Sequence, residues 1–327
     1  MKKRSAALSF AVWAFLAFLV YWGRYTPRRV GYAGMEIFCK SVYYLLKSRR
    51  RVGIENLRVL YPDASGEKLD DILYRTYVMF ARFMAEFGKI ADLTPENLGR
   101  FIRFHNFDLL KEAHSRGNGV ILATAHFDHF EMMNAAIAVK GLPVYSVIRE
   151  VDFPAADSLL DSVRNAAGVK VIKRERAATD IIERLRKGNI VTIAADQNAS
   201  FNYVHVKFMG KWASTFKSPA VIHLRTGAPI IPAYSVREKD DTHTVFFLPE
   251  ISTTPSGNLK NDIFNITQAI ADAQAKFIAE RPELWFWIHR RWKNQPTEKE
   301  LETLSGFVSE GELQQGAKEG AKGVTDA

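Results

Sequence analysis

The chain opens on an uncharged apolar run, residues 5–22, which reads SAALSFAVWAFLAFLVYW. Wound as a helix, this run is about 27 Å long, close to the ~30 Å hydrocarbon core of a bilayer. Tyr21 and Trp22 stand at one end of it, where aromatic side chains favour the membrane interface. Lys2, Lys3 and Arg4 precede the run and Arg24, Arg28 and Arg29 follow it, so positive charge on both sides leaves the orientation open. The rival reading is a cleavable signal peptide, but Val20, Tyr21, Trp22, Gly23 and Arg24 offer no small-x-small cleavage site. The pattern predicts a retained N-terminal anchor, either a full span or a helix dipping into one leaflet.

Residues 35–46 (MEIFCKSVYYLL) predict an amphipathic or largely buried helix, and 52–60 continue helically up to Tyr61 and Pro62. Ser65, Gly66 and Glu67 then open a long helical pattern to about residue 91. Its apolar positions Leu69, Ile72, Leu73, Tyr77, Phe80, Phe83 and Phe87 recur at spacings of three and four. From about residue 101 the pattern changes. Strands are expected at 119–125, 144–148, 169–172, 190–195, 204–208, 230–234 and 243–248, with helices at 130–139, 155–167, 177–187, 217–226 and 262–280. Alternating strands and helices predict an α/β sheet with helices packed on its faces. The expected organisation is an anchor (1–30), a domain (31–300) whose first part (31–100) is helical, and a Gly-, Glu-, Gln- and Lys-rich tail (301–327) expected to be disordered.

The 327 residues suit one large domain or two small ones. With 47% hydrophobic and 25% charged residues, the composition excludes a disordered chain, a collagen-like repeat and a polytopic membrane protein. The formal charge, 45 − 36 = +9, suits anionic partners: nucleic acid, anionic lipid or an acidic protein. A second basic cluster, Lys47, Arg49, Arg50 and Arg51, suits anionic head groups or a solvated helix end equally. The single cysteine, Cys39, excludes an intramolecular disulfide and a Cys-rich zinc site.

The densest polar cluster runs from Thr124 to Glu131 (TAHFDHFE), after the apolar stretch GVILA and before a helix. That is the carboxyl end of a strand, where open α/β sheets place their sites. On one continuous helix His126 and Glu131 would face apart, but across a strand-to-helix turn they can meet. Glu131 is then expected to accept a hydrogen bond from one imidazole nitrogen, leaving the other nitrogen of His126 to take a proton from a hydroxyl nucleophile. This is the base-and-orienter pair of a catalytic triad with the substrate hydroxyl in place of the enzyme serine.

These residues resemble the lysophospholipid acyltransferase superfamily, whose signature is His-x4-Asp or Glu. Within it, His126, Phe127, Asp128, His129, Phe130 and Glu131 are similar to the lipid A late acyltransferases, which usually read His-Phe-Gly-Asn-Trp-Glu; Asp128 and His129 depart from that form. Further segments fall in the family's order: Arg149 after a strand, Arg164 ahead of Gly168, Asp196 with Gln197, the segment 208–213 (FMGKWA), the strand entry 226–232 (TGAPIIP) and, most specific, 282–293 (PELWFWIHRRWK). The resemblance covers the chain from the anchor to about Pro296.

The resemblance implies a mixed, mostly parallel sheet flanked by helices, of the glycerolipid acyltransferase kind. It implies transfer of a fatty acyl chain from a thioester, on acyl carrier protein or coenzyme A, to a hydroxyl of a lipid A precursor, with no metal and no cofactor. His126 and Glu131 would be the catalytic pair. Arg149 and Arg164 are candidates to hold an acceptor phosphate or the donor's phosphopantetheine, and otherwise plain surface charges. Asp196 and Gln197 are candidates for substrate binding or for a structural turn. His289, Arg290 and Arg291 are candidates for phosphate binding or for capping a helix end, and Trp285, Trp287 and Trp292 for packing or interface anchoring. The expected location is the inner membrane, with the catalytic domain on the cytoplasmic face. A related branch acylates mannosylated phosphatidylinositol, which leaves the acceptor glycolipid open. A remote alternative is a metallo-β-lactamase-like hydrolase, since Asp128 and His129 match part of His-x-His-x-Asp-His, with Thr124 in place of the first ligand. A basic membrane-anchored scaffold is a further alternative, and no nucleic-acid recognition module is visible.

Overall fold

The computed structural model describes residues 6–174 and 177–305; Lys2, Lys3, Arg4 and the tail beyond 305 lie outside the described residues. Three helices lead the chain: α1 (Ala6–Tyr25), α2 (Arg28–Leu45) and α3 (Lys47–Leu60). The long α4 (Gly66–Phe87) follows, capped by Ser65, whose side chain accepts a hydrogen bond from the Lys68 amide. Its apolar spacing buries Leu69, Leu73, Tyr77, Ala81 and Ala85 along one stripe. The sequence predicts one helix to about residue 91. The α-helix instead ends at Phe87 and tightens into a 3₁₀ turn, Gly88–Asp92, crossing the backbone of α1 so closely that a Cβ on Gly88 would stand 2.3 Å from the Val20 carbonyl oxygen.

The rest of the chain is β1 (Ile102–His105), α5 (Phe107–Ser115), β2 (Val120–Thr124), α6 (Phe130–Val139), β3 (Val144–Ile148), α7 (Pro154–Ala166), β4 (Lys170–Lys173), α8 (Ala177–Arg186), β5 (Ile190–Ala194), β6 (Tyr203–Phe208), β7 (Lys211–Phe216), α9 (Ser218–Thr226), β8 (Ile230–Arg237), β9 (His243–Phe247), α10 (Leu259–Glu280) and α11 (Glu298–Ser305). Among the described residues seven strands form one sheet in the order β1-β9-β8-β2-β5-β3-β4, parallel throughout except for the antiparallel pair β8–β9. The central strand β2 (VILAT) is buried at every position, as expected of a strand covered on both faces. Core residues of β2 on one side pack with α6 (Met132, Met133, Ala136), and those on the other with α8, α9 and α10 (Leu185, Ala220, Ile270). The fold is thus the mixed, mostly parallel α/β sheet that the resemblance implies. β6 and β7 form a separate antiparallel hairpin beside it. The helix α11 runs across the boundary expected at residue 301.

Candidate active site

β2 and β5 are parallel neighbours, with Thr124 opposite Ala194. His126 and Asp196 each lie two residues beyond that pair, so the ladder brings them out of the sheet at the same height. His126 Nδ1 is 2.8 Å from Asp196 Oδ1, and the His126 amide donates to Asp196 Oδ2 at 2.9 Å. The Trp285 indole N–H donates to the same oxygen at 2.8 Å. Asp196 is buried, which alone would raise its pKa; the facing imidazole and the indole and amide donors outweigh this and hold it down to about 2. Burial likewise disfavours the charged form of His126, but the Asp196 carboxylate overrides it and raises the imidazole above its ordinary value.

The third wall of the site comes from the far end of the chain. Segment 284–286 runs beside the turn after β2: the Asp128 amide donates to the Leu284 carbonyl at 2.8 Å, and the Phe286 amide to the His126 carbonyl at 3.2 Å. Against it lies a cavity of about 170 Å³, lined by His126 and by Met79, Phe80, Phe83, Phe130, Trp285 and Phe286. The His126 side chain keeps 32% of its surface exposed. With Nδ1 committed to Asp196, Nε2 is the nitrogen left for a substrate proton. A wider hollow between α3 and α4, lined by Lys47, Arg50, Glu67 and Asp70, contains none of these residues.

The expected hydrogen bond between Glu131 and the imidazole is not formed. Glu131 sits in the first turn of α6, where the helix dipole favours a carboxylate, and turns toward α7 rather than the sheet edge. There Arg164 grips its Oε1 through Nη2 (2.7 Å) and Nε (3.0 Å), and also holds Asp161 at 3.1 Å. Both partners are buried. Glu131 reaches His126 only through its charge, which adds to the raising of the imidazole.

The other sequence candidates scatter. Asp196 joins His126, and Gln197 follows it half-buried. Arg149 and Arg290 are exposed. Arg291 is fully buried under the β6–β7 hairpin, donating to the Ser214 carbonyl (2.7 Å) and the Thr215 hydroxyl (2.6 Å); burial lowers it to about 10. His126, Asp128 and His129 engage three different partners, which is not the converging set of a metallohydrolase: Asp196, His243 and the Met132 amide. His129 caps α6 through Nδ1, and burial lowers it to about 3, so it stays neutral.

Two residues that the sequence singled out take other roles at the site. Trp285, weighed as packing or interface anchoring, fixes Asp196. His289 accepts a hydrogen bond from the Asn198 amide at 3.0 Å, and burial pushes it down to about 4. Sequence reading missed a buried charge network behind the motif. Asp128 adopts φ +40°, in the left-handed region where the family's usual glycine costs nothing. Its carboxylate lies 3.5 Å from His243 Nδ1, and His243 Nε2 lies 3.0 Å from Glu86 of α4. Arg237 and Tyr32 also bond Glu86, and burial of Glu86 is outweighed by His243 and Arg237, which hold it well below the usual carboxylate range.

Residues 1–294 match the family model of the bacterial lipid A biosynthesis acyltransferases. The chain is similar to a phosphatidylinositol mannoside acyltransferase of Mycolicibacterium smegmatis, 24% identical over 68% of this chain and 73% of the relative. It is 21% identical to a lipid A biosynthesis acyltransferase of Haemophilus influenzae over 74% of this chain and 75% of that protein. It is 24% identical to the lipid A biosynthesis palmitoleoyltransferase of Escherichia coli over 77% and 81%. With the family model spanning all but the tail, the chain belongs to the bacterial lipid A biosynthesis acyltransferase family and is an O-acyltransferase.

Proposed function

We propose that the protein carries a fatty acyl chain from an acyl thioester to a hydroxyl of a glycolipid at a membrane surface, with His126 as general base and Asp196 as its orienting carboxylate. The observation that carries this reading is the His126–Asp196 pair, 2.8 Å apart, opening on an apolar cavity that suits an alkyl chain. The acceptor oxygen attacks the thioester carbonyl carbon while its proton passes to Nε2. Asp196 stabilises the imidazolium. Collapse of the intermediate breaks the carbon–sulfur bond, and the thiolate takes the proton back, leaving an ester and a free thiol. The donor is a thioester of acyl carrier protein or coenzyme A, and no covalent enzyme intermediate is needed.

Glu131 acts at one remove: its charge biases His126 toward the protonated state, and its pairing with Arg164 ties the start of α6 to α7. The exposed Arg149 and Arg290, with Gln197 beside the pair, are offered to the anionic parts of acceptor or donor, while Arg164 and Arg291 support the site from within. A lipid A precursor is the proposed acceptor, and the relatives named for phosphatidylinositol mannoside make that glycolipid the second reading. The proposed place is the inner membrane, with the catalytic domain on the cytoplasmic face. The test is transfer of labelled acyl chains from either thioester to each glycolipid. The wild type is expected to acylate one of them and His126→Ala to lose at least about 10²–10⁴-fold; a folded His126→Ala protein with normal turnover would sink the mechanism.

A further inference from the structure

We propose that α1 does not cross the bilayer: α1 and α2 lie side by side along one membrane surface, their outward apolar stripes immersed in a single anionic leaflet. This rests on the membrane reading above and specifies how the chain meets the lipid. By length, 20 residues of α1 reach about 30 Å, enough for a span. Its packing removes that option. From Ala17 onward α1 is docked on the catalytic domain, with Ala17, Leu19, Val20 and Gly23 buried. The contact is backbone on backbone: a Cβ on Gly23 would stand 2.5 Å from the Ala85 carbonyl oxygen of α4. At the same end Arg24 pairs with Asp92 at 2.7 Å, the two side chains 30% and 49% exposed, an ion pair that belongs in water or among head groups. No residue from 6 to 16 is buried, and as a helix this stretch is about 16 Å long, half a hydrocarbon core.

What α1 and α2 turn outward is apolar. Leu8, Phe15 and Phe18 of α1 and Val30, Ile37 and Phe38 of α2 are exposed, and Phe15 meets Phe38 with ring centroids 5.9 Å apart, so the two stripes form one face. Charge selects the occupant. Lys2, Lys3 and Arg4 precede α1 and Arg29 follows it, and a span would send one of these clusters to the far side. A helix lying in the surface keeps both on the same anionic leaflet, with the exposed Lys40 and Lys47 on the flank. The face also leads to the site. Ala81 and Ala85 of α4 are covered by Leu19, Tyr32, Met35 and Cys39. One position along the same helix Phe80, 39% exposed, lines the His126 cavity, so the cavity opens beside the immersed face.

The test uses the full chain with Cys39→Ala and one introduced cysteine, Arg4→Cys or Lys111→Cys, in sealed membrane vesicles of either orientation. A membrane-impermeant maleimide is expected to label both positions from the same side. Labelling of residue 4 from the opposite side to residue 111 would overturn the proposal. Binding of the purified chain to phosphatidylglycerol vesicles is expected to exceed binding to phosphatidylcholine vesicles and to fall at least about tenfold in Ile37→Glu/Phe38→Glu, with turnover on detergent-dispersed glycolipid retained. Equal binding by that variant would also overturn it. Vesicle binding that follows this pattern in a protein with no acyl transfer would count against the enzymatic mechanism and in favour of the docking face.

Discussion

The imidazole of His126 is oriented by a carboxylate 70 positions downstream rather than by the one five positions away. That distinction has a kinetic signature. A general base works only when neutral, so kcat/KM should rise with pH through the His126 pKa, which Asp196 holds above the ordinary value near 6.5. Asp196→Asn keeps the shape and removes the charge. Turnover is expected to fall about 10²–10⁴-fold, and the acid limb of the pH profile to move to lower pH, because burial is then opposed only by the charge of Glu131. An unmoved limb would assign the raised pKa elsewhere. Glu131 predicts the contrary behaviour. Arg164→Leu strands a buried carboxylate and is expected to cost about 3–5 kcal/mol in denaturant unfolding, with much of that recovered in Arg164→Leu/Glu131→Leu. At this scale the sequence offered His126 and Asp196 among its candidates, and the structure brings those two together. The sequence did not show who touches whom, because Glu131 chooses between the sheet edge and α7 by the direction of one helical turn.

Elements were more legible than contacts. Strands β2, β3, β5 and β8 stand out as apolar runs because they are covered on both faces. β1, four residues at the sheet edge (IRFH), and β7 (KWASTF) carry too little apolar signal to be read, and α5 also went unread. The path of α1 was invisible for a different reason: glycine is silent in a hydrophobicity pattern, yet Gly23 and Gly88 allow the helix to touch α4 and the 3₁₀ turn after it. Gly88→Val places side-chain atoms where the Val20 carbonyl stands. It should push α1 off the domain and open its junction to limited proteolysis while the sheet keeps its far-ultraviolet signal. A cleavage pattern identical to the wild type would mean that the junction yields without parting.

Across the whole molecule, buried histidines pull stability in opposite directions with pH. His129, near 3, and His289, near 4, stay neutral when folded but take a proton when unfolded, so stability falls as pH drops below about 6.5. His243 is pushed down by burial but raised further by Asp128 and Glu86; it keeps its proton when folded and loses it when unfolded. Its share of stability is complete below about 6.5 and disappears as pH rises through its raised value. The melting temperature should therefore peak near neutrality, and His243→Asn should flatten the alkaline side while lowering the peak. A melting curve indifferent to pH from 5 to 9 would contradict the charge assignment. None of this network was legible in the sequence, since Tyr32, Glu86, Asp128, Arg237 and His243 come from five separate stretches.

Trp285 and its neighbours close the site from the end of the chain, and this gives the enzyme a built-in order of birth. A polypeptide leaves the ribosome from its first residue, so every strand of the main sheet has emerged by Phe247, and His126 and Asp196 long before that. The indole that fixes Asp196 and the strand partner that fixes the turn after His126 arrive only with residues 284–286. A nascent chain can thus assemble its sheet while His126 and Asp196 still lack the contacts of segment 284–286, and the site is completed only after that segment has emerged.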